Sequence, residues 1–221
     1  MVCGMPLQIH SPSGRHPPIT QALAADLAVQ RGRVHEFCGQ SRIALAALVM
    51  AKSQGPVLWI HPGWTTERLS PAGLRSFADP ARIIFVAAQR DDEALWAAEE
   101  ALRSGAAPLV IAELTHPPAL TPVRRFHLAA EAGAEAARRD GSLAPLGLLL
   151  VPERGGAQGV ESRWHMAAAP SQTLLQEPAD SWILTRLRAR LQPPAQWRLT
   201  RINQGLETLA VQEMDADHTS T

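Results

Sequence analysis

Residues 33–52, RVHEFCGQSRIALAALVMAK, constrain this chain more than any other stretch. They read as a short strand, a tight turn at Gly39-Gln40-Ser41 and an apolar helix. In nucleotide-binding α/β proteins, this junction is where a glycine-rich loop wraps phosphates with its backbone N–H groups. A GxxxxGK[ST] loop needs about four residues between its glycines, a lysine for the phosphates and a hydroxyl for Mg²⁺. Only Gln40, Ser41 and Arg42 follow Gly39 before the helix, and the only lysine, Lys52, lies at the helix's far end. The frame of a nucleotide site is present without its chemistry.

The rest of the chain supplies the alternation of strands and helices that such a frame requires. Strands are expected at 56–60 (PVLWI), 82–87 (RIIFVA), 108–114 (PLVIAEL) and 147–151 (GLLLV). Helices are expected at 20–30, 43–51, 69–77, 91–104 and 121–139. The helix at 43–51 is apolar on nearly every side and therefore buried. Asp91, Asp92 and Glu93 suit the positive end of the helix they open, Gly105 closes it, and Glu99 can pair with Arg103. Ser70 and Thr121 are expected caps, each followed by proline. After 151 the pattern changes to strands at 163–168, 182–190 and 197–202. The fold class is α/β: a three-layer domain with a mostly parallel central sheet and antiparallel strands added at its C-terminal edge. Residues 1–30 read as a leader and helix and 31–202 as the domain, closed by a hairpin from about 181. Residues 203–221 read as a flexible acidic tail.

With 221 residues and 46% apolar content the chain can bury a full core, and its zero formal net charge gives no global field toward nucleic acid or membrane. Cys3 and Cys38 form no metal or redox spacing, and Cys38 reads as a core residue. No run approaches the roughly 18 apolar residues of a membrane span, and no signal pattern opens the chain, so a cytoplasmic protein is expected.

Taken together, ALWAAEEALRSGA, RRFHLAAEA and RW…AAAPS, in this order of elements, resemble ImuA-type proteins, relatives of the RecA recombinase core. The resemblance spans roughly residues 31–202. It implies a RecA-like fold and a part in damage-induced (SOS) mutagenesis. The implied partners are ImuB, a Y-family polymerase homologue, the RecA recombinase and an error-prone C-family polymerase, which together assist translesion synthesis. The Walker A position falls at Gly39, Gln40, Ser41 and Arg42 and lacks loop, lysine and threonine. His61 and Pro62 stand where the recombinase has its catalytic glutamate. Glu113 corresponds to the Walker B carboxylate and Glu153 to the polar sensor. ATPase activity is therefore not expected, and no cofactor is. The implied function is a non-catalytic adaptor. The alternatives are an ATPase with an atypical phosphate site, or an inhibitor of another assembly such as cell division.

Several constellations bear on these choices. Glu113 and Glu153 can form a paired carboxylate site at adjacent strand ends. The helix start with Arg42 can hold a lone anion, although Ser41 reads first as a helix cap. His35-Glu36, His61 and His116 carry no metal-site spacing. Residues 181–201 contain five arginines and no other charged residue. Arg186, Arg188 and Arg190 alternate, so they are expected on one strand face, with Arg198 and Arg201 on the returning strand. With Trp182 and Trp197 nearby, that face is the candidate for weak DNA contact or partner docking. The acidic tail, with Glu207, Glu213, Asp215 and Asp217, can fold over it. Trp64, just past the 56–60 strand, is a second contact candidate.

Overall fold

The computed structural model describes residues 20–65, 69–169, 180–201 and 209–214. Its centre is a nine-stranded mixed sheet. From one edge to the other the strands are β11 (Leu209–Met214), β10 (Ala195–Arg201), β9 (Ser181–Ala189), β8 (Ser162–Ala168), β3 (Val34–Cys38), β7 (Leu146–Val151), β6 (Leu109–Glu113), β4 (Val57–Pro62) and β5 (Ile83–Ala88). From β5 to β8 every pairing is parallel; from β8 to β11 every pairing is antiparallel.

Strand β3 lies at the middle, and all five of its residues are buried, as are all six of β7. The continuous apolar run of β7 is what a strand covered on both faces needs, whereas β3 also buries His35 and Glu36. One face packs α1 (Arg42–Lys52) against Phe37, Trp59, Ile111, Leu148 and Leu150. The other packs α3 (Asp91–Ser104) and α4 (Leu120–Arg139) against Val34, Ile60, Val110 and Leu149. The helix pair approaches closely because α4 carries Gly133: a Cβ there would sit 1.9 Å from the Leu102 carbonyl oxygen. Glu99 ties the pair together, accepting from Arg103 on its own helix and from Arg125 of α4 at 2.6 Å. No helix among the described residues is long and apolar enough to cross a membrane.

Four expectations are corrected. Residues 20–30 form no helix but a hairpin of β1 (Thr20–Ala24) and β2 (Leu27–Gln30). Alternate residues Leu23 and Val29 enter the core, and tertiary packing overrides alanine's helix preference. The 69–77 helix shrinks to α2 (Pro71–Leu74), with Ser70 Oγ accepting from Gly73 N–H at 3.3 Å. Helix α4 starts at Leu120 with Ala119 at its cap position, not with Thr121. The tail reading gives way at β11, which pairs with β10 from Gln196↔Met214 to Arg201↔Leu209.

A buried hydrogen-bond chain joins the hairpin to the sheet. His35 Nε2 lies 2.9 Å from the Gln30 carbonyl, which can only accept, so Nε2 carries the proton. His35 Nδ1 then accepts from Ser162 Oγ at 2.6 Å, and that oxygen accepts from Trp164 Nε1 at 2.7 Å. Burial, first among its causes, pushes the His35 pKa down to about 4. The unfolded chain therefore binds this proton more tightly than the native one. Stability from this site is complete above pH 6.5 and is lost as the pH falls toward 4. In urea unfolding across that window, wild type should lose roughly 3 kcal/mol more than His35→Gln does. Equal slopes in the two proteins would refute it.

Candidate functional site

The carboxyl ends of β3, β7 and β6 lie side by side, the crevice where ligands of open α/β sheets collect. The turn 39–42 follows β3, Glu153 follows β7, and Glu113 ends β6. The predicted residues thus share one edge of three neighbouring strands, but their side chains are engaged separately.

The turn packs closely against the end of β8. Gly39 has φ +92°, and a Cβ on it would lie 2.4 Å from the Met166 carbonyl oxygen and 2.8 Å from His165 Nε2. Only glycine fits so close to the end of β8 in that conformation. The Ser41 N–H donates to the Met166 carbonyl at 3.0 Å, and the Arg42 N–H to the Gly39 carbonyl at 3.3 Å. The Arg42 guanidinium folds back onto the same Gly39 oxygen at 3.2 Å. The Ser41 and Arg42 N–H groups and the Arg42 guanidinium are thus engaged by backbone carbonyls. The expected Ser41 cap is not formed, because Ser41 sits at φ −97°, ψ 18° and its side chain makes no capping bond. Gln40 is exposed.

The two carboxylates have different lives. Glu113 accepts from Trp59 Nε1, whose indole is wholly buried in the core below, so its role is to satisfy a buried donor. Glu153 is exposed on the loop after β7, in a left-handed conformation with φ +55°. The histidines do not gather either. His61 stacks edge-on against Phe85, and His116 lies by Thr115 and Asp91. No group of three or more metal-ligating side chains occurs among the described residues.

The expected arginine face is broken by a β-bulge. Arg163 pairs with Arg188 but Trp164 pairs with Arg186, so Leu187 is the extra residue. Cross-strand partners share a face and neighbours along a strand alternate, so Arg186 and Arg188 point to opposite sides. Arg186 is buried, 5.0 Å above the Trp197 ring and 5.5 Å above Trp164, and donates to the Pro193 carbonyl. Burial pushes its pKa down, and Glu213 on β11 acts against that shift. Arg201 lies 4.1 Å over Phe77 and pairs with Asp180 at 3.0 Å. Arg198 is half-buried beside Ser181. Only Arg188 and Arg190 remain exposed. Glu207, Asp215 and Asp217 of the acidic tail lie outside the described residues.

What sequence reading missed is the use of Glu36. Its carboxylate is wholly buried at the centre of the sheet. Oε1 accepts from the Gly156 and Ala157 N–H groups at 2.8 and 3.0 Å, and Oε2 from Arg163 Nε. Arg163 also donates to the Ala157 carbonyl at 2.8 Å. A charged residue inside an otherwise apolar strand run was the available signal. Cys38 sits in the core as expected, and burial raises its thiol pKa to about 12.

Comparison with protein-family models and with curated proteins finds no match. Function therefore rests on the geometry.

Removing one partner of a buried charge pair leaves the other uncompensated. Glu36→Leu and Arg163→Leu should each cost about 3–5 kcal/mol of folding stability. That is a fall in melting temperature of roughly 10 °C for a chain of this size. The double variant should lose less than the two single losses summed, as read by denaturant unfolding. Strict additivity would mean the pair is not a unit.

Proposed function

We propose that the chain is a non-catalytic, RecA-like adaptor of the ImuA type, acting in damage-induced mutagenesis and translesion DNA synthesis. It docks an ImuB-like Y-family polymerase homologue and the RecA recombinase, and through them an error-prone C-family polymerase. Its work is cytoplasmic and needs no cofactor.

The observation that carries this function is the apolar sheet edge at β5. β5 is the last strand on its side, and Ile84 and Phe85 are 55% and 48% exposed. Trp96 of the adjoining α3 is 62% exposed. The Gly63 N–H donates to the Ala88 carbonyl at 2.7 Å, which brings Trp64, 47% exposed, to the carboxyl end of the same edge. A long apolar edge is a liability that soluble proteins blunt with charge or cover. Here neither Lys, Arg, Asp nor Glu stands within β5. A partner segment added as a further strand would use the outer backbone groups and bury aromatics on both sides. The closed turn at 39–42 agrees with a protein that keeps the shape and omits turnover. With the arginine face split by the bulge, this edge is the main docking face, and weak DNA contact is left to the exposed Arg188.

Purified chain should bind the ImuB-like homologue or the recombinase, measured by calorimetry. Phe85→Glu should weaken that binding by about tenfold or more, while Arg188→Glu leaves it nearly unchanged. Absence of binding to both partners would overturn the adaptor function.

A further inference from the structure

Two cavities meet beside the start of β3. One, of about 230 Å³, lies between β2 and the ends of β8 and β9; Val29, Trp164 and Leu191 form part of its mainly apolar wall. The other, of about 480 Å³, lies against α4, with Arg33, Arg124, His127 and Leu128 on its wall. Glu161 and Arg190 line both, so the two make one groove. Leu191 is 87% exposed at one end and Leu128 66% at the other.

The charges in this groove are arranged, not scattered. Glu161 is nearly buried between Arg33 Nε and Arg190 Nε, each 3.8 Å from its Oε2. Arg33 also pairs with Glu131. Arg124 has no ion-pair or hydrogen-bond partner among the described residues. His127 is held neutral by burial, and its Nε2 lies 3.0 Å from the Gly159 carbonyl. Its Nδ1 is then an acceptor, and it is buried with no partner among the described residues. Three guanidiniums thus face two carboxylates, with the surplus on Arg124 and on the exposed part of Arg190.

We infer that this groove binds an acidic peptide segment of a partner protein, with an apolar side chain in the smaller cavity and carboxylates on Arg124 and Arg190. Arginine forks match carboxylates in a bidentate fashion. A polynucleotide fits less well, because it has no apolar side chain for the smaller cavity and its bases need an exposed aromatic ring to stack on. The groove's tryptophan, Trp164, is only 1% exposed and offers no stacking surface. The groove is separate from the β5 edge, so it stands or falls independently of the adaptor function.

The test uses the full ¹⁵N-labelled chain and a short synthetic peptide alternating leucine and glutamate. Binding is followed by fluorescence anisotropy and amide shifts. Saturable binding is expected, with shifts centred on residues 28–30, 124–131, 159–164 and 189–192. Arg124→Glu combined with Arg190→Glu should weaken it by about tenfold or more. Arg75→Glu, exposed elsewhere, and Phe85→Glu should leave it unchanged. The inference is overturned if no saturable binding occurs, or if a leucine–lysine peptide binds equally. It is also overturned if a labelled oligothymidylate, and not the acidic peptide, shifts these amides.

Discussion

The Glu36 carboxylate is the interaction on which the rest of this structure depends. It stands on the central strand β3, next to β8, the strand at which the parallel and antiparallel parts of the sheet meet. One oxygen gathers two N–H groups of the loop after β7, and the other takes the guanidinium of Arg163 on β8. A carboxylate taken fully out of water costs several kcal/mol unless each lone pair finds a donor. Here backbone and guanidinium donors supply that compensation. The loop that carries Glu153, and the register of β8 against β3, are therefore set by one buried charge. Because β8 is fixed, the Met166 carbonyl is fixed too, and it is Met166 that receives the Ser41 N–H and closes the turn. The absence of a phosphate cradle is thus tied to how the two parts of the sheet are joined.

The alternation of strands and helices was legible in the sequence because short apolar runs bounded by glycine and proline recur at the spacing of α/β units. Helix α3 lies at 91–104 as the acidic start and Gly105 foretold. The failures have physical causes. In residues 20–30, alanine favours a helix, and only the core positions of Leu23 and Val29 reveal a hairpin. The bulge at Leu187 leaves no local mark, yet it reverses the side of every arginine beyond it. The Glu36–Arg163 pair spans 127 residues, a distance that no spacing rule crosses. Glu113 was visible as a carboxylate at a strand end, but its indole partner on the neighbouring strand was not.

Engagement of polar groups within the fold leaves the accessible chemistry at the rims. Glu113, Arg42, Arg186 and Arg201 are each engaged inside the fold, by an indole, a carbonyl or aromatic rings. What the described surface offers is an apolar strand at one lateral edge and an arginine-lined groove at the start of β3. These two surfaces are the ones proposed above to hold other chains.

A turn at 39–42 whose Ser41 and Arg42 amides are engaged by backbone carbonyls should hold no nucleotide. This is tested most directly by titrating the ¹⁵N-labelled full chain with MgATP while following the Ser41 and Arg42 amides. No saturable shift is expected at either amide into the millimolar range, with Ser41 slow to exchange its hydrogen. A saturable shift at both amides, abolished by Glu113→Ala, would contradict this and make the chain a nucleotide-binding protein.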